Sequence, residues 1–293
     1  RGHQAAKNRI NTTSGTMDKI DQYAVFGNPI KHSKSPQIHT AFAEQTGQAL
    51  HYRAHKVEVG RFADAAAQFF KNGGKGLNIT VPFKLDAFEF ADELSGRARR
   101  AGAVNTLARG EDGRIYGDNT DGVGMVRDIN DNLGWPVAGK RILVLGAGGA
   151  VRGILGPLLK QRPEELVVAN RTLEKAEALA ELFAELGPVS GQPFEALPGR
   201  QFDLIINGTS ASLSGDLPPL PSHILSNEGS AYDMMYGAEP TPFMRWAAAE
   251  AAWAVSDGLG MLVEQAAESF CIWRGVRPDT RPVIELIRQS LSH

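Results

Sequence analysis

The chain has 293 residues, with 31 lysines and arginines against 33 aspartates and glutamates, 7 scattered histidines and a single cysteine. The near-cancelling charge excludes the dense basic face from which nucleic-acid and anionic-membrane binders draw their affinity, and the histidines show no metal-ligand spacing. Cys271 alone excludes an intramolecular disulfide and fits a reducing, cytoplasmic setting, and the length leaves room for two domains with cores of their own.

Residues 1–16 are polar and patternless and precede Met17, so they read as a tail added in cloning and are set outside the fold. From Gln22, short β-rich runs alternate with helical patterns: strand 22–27, a helix from 36, strand 50–57, a helix from 61, strand 76–81, helices across 84–101, then strands 103–108 and 113–117. Alternation of this kind implies parallel pairing with crossovers. The group Arg97, Arg99 and Arg100 reads as one solvated helix face. A cleaner series begins with strand Arg141 to Leu145, a glycine turn and a helix to about 162. Strand 165–170, helix 172–186, strand 203–207, a short strand near 231–234, helix 240–251 and a strand near 252–255 follow, which is the order of a doubly wound sheet. Ser210 to Pro221, rich in serine and proline, reads as a mobile surface connection. Two helices, Leu259 to Arg274 and 279–292, close the chain and could cap either sheet. The most apolar stretch, Ile142 to Leu159, is broken by five glycines, Arg152 and Pro157 and does not read as a membrane span.

Chemistry enters with Asn78-Ile79-Thr80-Val81-Pro82-Phe83-Lys84, which delivers a lysine at the mouth of an apolar strand, just past a strand-ending proline. An ammonium partly withdrawn from water can exchange protons near neutral pH, so Lys84 is a candidate general acid/base. Asp121, in Asp118-Asn119-Thr120-Asp121-Gly122, reads either as a helix N-cap or as a partner for that lysine at the boundary between the two halves, where clefts form. Ser33, Ser35, Asn78, Thr80, Asn105, Tyr236 and Gln265 are neutral hydrogen-bonding candidates, suited to a small polyhydroxylated substrate. Ser35 before Pro36 also reads as a helix cap and first helical residue.

Gly146-Ala147-Gly148-Gly149-Ala150 falls where a strand ends and a helix starts, the place where backbone N–H groups can receive a pyrophosphate. The match to the dinucleotide fingerprint is partial, since Val151 stands where a third glycine is usual. The next strand ends in Asn170-Arg171-Thr172, with Lys175 one turn on and no carboxylate to hold a ribose 2′-hydroxyl. An arginine fork binds a 2′-phosphate, so NADP is favoured over NAD, while Thr172 also reads as the cap of the following helix.

On His32-Ser33-Lys34-Ser35-Pro36, Asn78 to Lys84, Ala103-Val104-Asn105-Thr106, Asn119-Thr120-Asp121-Gly122, Gly146 to Ala150, Asn170-Arg171-Thr172, Asn207-Gly208-Thr209-Ser210, Tyr232 to Tyr236 and Asp257 to Leu262 with Gln265, the chain resembles the shikimate dehydrogenase family. The resemblance implies two α/β domains: a substrate domain with a mixed, mostly parallel sheet (17–121) and a Rossmann-like NADP-binding domain (122–255). Helices at 256–293 would return to the first domain. It further implies reversible NADP(H)-dependent reduction of 3-dehydroshikimate to shikimate, in the biosynthesis of aromatic amino acids. Lys84 and Asp121 would fall on the catalytic pair, Ser33, Ser35 and Tyr236 on the substrate carboxylate, and Thr80, Asn105 and Gln265 on ring hydroxyls. The glycine loop, Asn170, Arg171, Thr172, Thr209, Met234 and Gly258 would line the cofactor. Lys175 stands where arginine is common, and Gly96 where some relatives carry an acid, so no role is carried to Gly96. A quinate/shikimate dehydrogenase with relaxed cofactor use, a metabolite-sensing regulator of the same fold and a homodimer all remain open.

Overall fold

The computed structural model describes residues 20–210 and 217–292. The tail at 1–16, Met17 and the middle of the Ser210 to Pro221 connection lie outside the described residues. The first half runs Asp21–Gly27 (β1), Ser35–Thr46 (α1), Leu50–Lys56 (β2), Phe62–Lys71 (α2), Gly76–Ile79 (β3), Lys84–Phe90 (α3), Glu93–Leu94 (β4), Gly96–Ala101 (α4), Thr106–Arg109 (β5) and Ile115–Asp118 (β6). The second runs Asp121–Arg127 (α5), Arg141–Leu145 (β7), Gly149–Lys160 (α6), Glu165–Ala169 (β8), Leu173–Phe183 (α7), Val189–Gln192 (β9), Phe202–Asn207 (β10), Leu225–Asp233 (β11), Pro242–Ala249 (α8) and Ala254–Ser256 (β12). Leu259–Arg274 (α9) and Arg281–Leu291 (α10) close the chain.

Ile142-Leu143-Val144-Leu145 has no polar face, which suits only a strand covered on both sides. All four side chains are fully buried. They divide by the two-residue period of a strand: Ile142 and Val144 join one core with Val151, Ile154 and Leu158 of α6, and Leu143 and Leu145 join the opposite core with Phe202 and Phe243. The resulting sheet is parallel throughout, in the order β12-β11-β10-β7-β8-β9. Strand β9 was not expected, because Val189-Ser190-Gly191-Gln192 at the sheet edge carries no apolar alternation.

The first sheet, in the order β2-β1-β3-β5-β6-β4, is mixed. β1 pairs parallel with β2 and β3, whereas β5 runs antiparallel to both β3 and β6. The link from β5 to β6 holds only residues 110–114, too few for a parallel crossover, so it closes as a hairpin. The stretch read as helices across 84–101 is two helices, α3 and α4, with the unexpected short strand β4 between them, which pairs with β6.

The terminal helices cover the first sheet. Leu259, Val263, Ala266, Ala267 and Phe270 of α9 pack with Ile38 and Phe42 of α1 and with Val283 and Ile287 of α10. α9 also crosses α5 in backbone contact: a Cβ on Gly124 would sit 2.6 Å from the Gln265 nitrogen. An ion-pair cluster fastens this crossing. Arg97 binds Asp118 at 2.7 Å and Glu268 at 3.2 Å, while Arg127 and Arg277 reach Glu268 at 2.6 and 2.7 Å. Burial opposes ionisation of Glu268, but hydrogen bonds from Arg277 and Arg127 and the charges of Arg127 and Arg97 outweigh it and hold its carboxyl at about 2. Arg97 therefore does not lie on a solvated face as its sequence neighbours suggest; its partners are 21 and 171 residues away, beyond any local pattern.

Candidate active site

β3 ends at Ile79, and a turn follows in which the Thr80 N–H donates to Phe26 O and the Phe83 N–H to Thr80 O, both at 3.0 Å. Buried Phe83 anchors this turn, so Lys84 starts α3 at a fixed point on the cleft wall. On the facing side the Asp121 N–H donates to Asn119 Oδ1 at 3.1 Å, and Asp121 opens α5. It is the first helical residue. Thr120 occupies the cap position without a side-chain cap bond, so the Asp121 carboxylate is not used as a cap. Its Oδ2 instead accepts from Lys84 Nζ at 2.8 Å, and its Oδ1 from Asn105 Nδ2 at 3.0 Å. The pair is partly sheltered, with 35% of the lysine and 19% of the aspartate side chain exposed.

Lys84, Asp121 and all seven neutral candidates line one cleft of about 350 Å³. Ser33 and Ser35 come from the start of α1, Asn78 and Thr80 from the end of β3, Asn105 from the approach to β5, Tyr236 from the segment after β11, and Gln265 from α9. Ser35 is itself the first residue of α1, with Lys34 at the cap position. Burial, followed by the charge of Asp257, raises the pKa of Tyr236, so it faces the cleft as a neutral phenol. Val25, Ile30, Ile79 and Leu262 supply apolar wall between these groups. Met234 and Gly258, expected beside the cofactor, line the same cleft.

The other cofactor candidates lie at the carboxyl ends of adjacent parallel strands, where doubly wound sheets bind ligands: Gly146 to Ala150 after β7, Asn170 to Thr172 after β8, and Thr209 after β10. Gly146 takes φ +105°, and a Cβ there would crowd Thr209 at 3.2 Å, whereas Gly148 and Gly149 face open space at the start of α6. These exposed N–H groups at a helix N-terminus fit a pyrophosphate. Val151 departs from the fingerprint because the close approach is made elsewhere: a Cβ on Gly208 would fall 2.4 Å from Val151 Cγ2. Arg171, Thr172 and Lys175 are exposed, and Thr172, at the cap position of α7, makes no side-chain cap bond. Two cations beside a free hydroxyl, with Asn170 folded back onto Thr172 O at 3.1 Å, suit a phosphate rather than a ribose hydroxyl.

Sequence reasoning missed the layer beneath the cleft. Tyr52, Thr106, Thr120 and Ser269 are buried and hydrogen-bonded to Asn78 or Asn105. Thr106 and Thr120 lie inside the quoted motifs, but Tyr52 and Ser269 carry no local signal.

Comparison with known proteins identifies the family. The sequence matches the family profiles "Shikimate dehydrogenase substrate binding domain" over residues 25–107, "Shikimate / quinate 5-dehydrogenase" over 129–214 and "Shikimate 5'-dehydrogenase C-terminal domain" over 258–288. It is 60% identical over 271 residues to the shikimate dehydrogenase (NADP(+)) of Methylococcus capsulatus, covering 92% of this chain and 97% of that one. Among solved structures, an Ael1 enzyme from Pseudomonas putida superposes with a TM-score of 0.86 at 51% identity, covering 91% of this chain and 97% of that one. The shikimate 5-dehydrogenase of Thermus thermophilus, solved with NADP(H) and shikimate, superposes with a TM-score of 0.83 at 35% identity, covering 92% and 100%. The doubly wound fold, the cleft and these matches converge: the chain belongs to the shikimate dehydrogenase family.

Proposed function

We propose that this chain interconverts shikimate and 3-dehydroshikimate with NADP(H), with Lys84 carrying the proton and Asp121 orienting Lys84. The observation that supports this most directly is the 2.8 Å ion pair on the wall of a cleft that also presents seven neutral hydrogen-bonding side chains. When bound, the nicotinamide supplies or takes the hydride. A ketone oxygen gaining negative charge then needs a proton, and the Lys84 ammonium donates it, a contribution of roughly 10² to 10⁴ in rate. Asp121 holds that ammonium through Oδ2 while Asn105 holds Oδ1, so the carboxylate cannot swing away from the reacting ring. Ser33, Ser35 and the neutral Tyr236 hold the substrate carboxylate; Asn78, Thr80, Asn105 and Gln265 take ring hydroxyls, which both donate and accept. N–H groups from Gly146 to Ala150 receive the pyrophosphate, and Arg171 with Lys175 takes the 2′-phosphate. Met234, Gly258 and Thr209 flank the nicotinamide half. The reading includes a cytoplasmic location, supported by the single cysteine.

Initial rates for shikimate and for quinate, each with NADP⁺ and NAD⁺, test it. Shikimate with NADP⁺ is expected to be the fastest combination. Comparable rates with quinate would identify a broader quinate/shikimate enzyme, and binding without cofactor reduction would identify a sensor.

A further inference from the structure

Two asparagines border the cleft, and neighbours that can act in only one sense fix how each carboxamide is turned. A backbone N–H only donates: Thr120 N lies 2.9 Å from Asn105 Oδ1, so that atom is the oxygen and Nδ2 faces Asp121. A backbone carbonyl only accepts: Asn105 O lies 3.3 Å from Asn78 Nδ2, which leaves Asn78 Oδ1 to receive the Tyr52 phenol proton at 2.7 Å. The hydroxyl protons follow. Thr106 Oγ1, 2.9 Å from Asn105 Oδ1, must donate to it. In the 2.8 Å contact between Thr106 and Ser269 the donor is then Ser269, which itself receives from Asn78 Nδ2 at 3.1 Å. Gln265 O, which Ser269 also approaches at 3.2 Å, is satisfied by Thr120 Oγ1 at 3.0 Å.

We propose that Tyr52, Ser269 and Thr106, none of which lines the cleft, are positioning residues in a one-way hydrogen-bond chain that ends on the carboxylate of Asp121. The donors run Tyr52 to Asn78, Asn78 to Ser269, Ser269 to Thr106, Thr106 to Asn105, and Asn105 to Asp121. Every member before Asp121 is at most 7% exposed, so water does not compete for these bonds. Bonds aligned in this way polarise one another, and reversing one requires reversing them all. The chain therefore fixes which atom each asparagine shows to the substrate and holds Asp121 in its orientation toward Lys84.

The inference rests on the cleft being the shikimate site, so wild-type turnover of shikimate with NADP⁺ is the control: its absence would overturn that reading. Thr106→Val keeps the shape and removes the hydroxyl; Thr106→Ser keeps the hydroxyl. Thr106→Val removes the bond accepted from Ser269 and the bond donated to Asn105; kcat/KM for shikimate is expected to fall roughly 3- to 10-fold, the value of the one bond that Asn105 loses, with KM for NADP⁺ unchanged. Thr106→Ser is expected to remain within about twofold of wild type, because it retains that bond. Tyr52→Phe breaks the chain at its head and should reproduce the Val pattern, so the inference stays testable if the Val variant does not fold. Wild-type kcat/KM in both chain-breaking variants, or a loss in the Ser variant as large as in the Val variant, would overturn it.

Discussion

His39 of α1 offers the sharpest physical test of the packing beneath the cleft. Its ring is 1% exposed and stacks on Tyr52 with centroids 4.3 Å apart and planes 8° apart. Phe42, Phe270 and Trp273 surround it, and among the described residues neither ring nitrogen has a hydrogen-bond partner. Burial lowers its pKa from 6.5 to about 3, against a smaller opposing influence of Asn78, whose amide protons are committed elsewhere. Because the folded-state pKa is the lower one, the unfolded chain takes up the proton first as pH falls. The stability this residue permits is complete above pH 6.5 and is lost progressively toward about 3. At about 1.36 kcal/mol per unit, the loss between pH 7.5 and 5.0 comes to about 2 kcal/mol, on the order of 4 °C in Tm for a chain of this size. His39→Phe keeps the ring and removes both the titration and two desolvated nitrogens. Thermal unfolding at the two pH values should show the variant losing about 2 kcal/mol less than wild type, and being at least as stable at pH 7.5. Parallel pH dependences in the two proteins would refute the reasoning, because every other titrating group is common to both.

Lys84→Ala is expected to lower kcat by roughly 10² to 10⁴ while leaving shikimate binding nearly unchanged, as measured by initial rates and by titration. Turnover within a few-fold of wild type, with binding unchanged, would remove the lysine from the proton transfer. Glu268→Gln should destabilise the fold at neutral pH by roughly 2 to 3 kcal/mol, since it leaves Arg97, Arg127 and Arg277 without their shared anion. The folded pKa of about 2 lies below the ordinary 4.5, so this stabilisation is complete above 4.5 and fades toward 2. Urea unfolding at pH 7 and pH 4 should therefore show a deficit that shrinks with acid, and a variant as stable as wild type at pH 7 would contradict the clamp.

What the sequence revealed divides by the range of the force that fixes it. The parallel sheet was legible because Ile142 to Leu145 and Leu166 to Ala169 carry their burial in their own composition, and the glycine turn between them has a purely local cause. The cleft residues were legible too, because most stand near the end of a strand or the start of a helix, where a side chain leaves the core at a fixed angle; Gln265, within α9, is the exception, and the structure gathers all nine into one cavity. Val151 looked like a flaw in the phosphate loop only while its partner was unknown. Gly208, 57 positions further on, supplies the missing room.

Ser269 shows why the remainder was hidden. On α9 it is one hydroxyl between Glu268 and Phe270, and neither periodicity nor capping distinguishes it from a serine that merely satisfies its own helix through Gln265 O. Its meaning appears only once Gly124 lets α5 and α9 meet backbone to backbone, which brings Ser269 within hydrogen-bonding distance of residues 163 and 191 positions away. Arg97 was misread for a related reason, since Glu268 reaches it from α9 and Asp118 from the end of β6, neither of them a neighbour in its own helix. A helix crossing set by one glycine thus does two tasks at once. It delivers Gln265 to the cleft and closes the buried chain beneath it, so bulk at Gly124 would disturb the orientation of Asp121 without touching either charge of the Lys84–Asp121 pair.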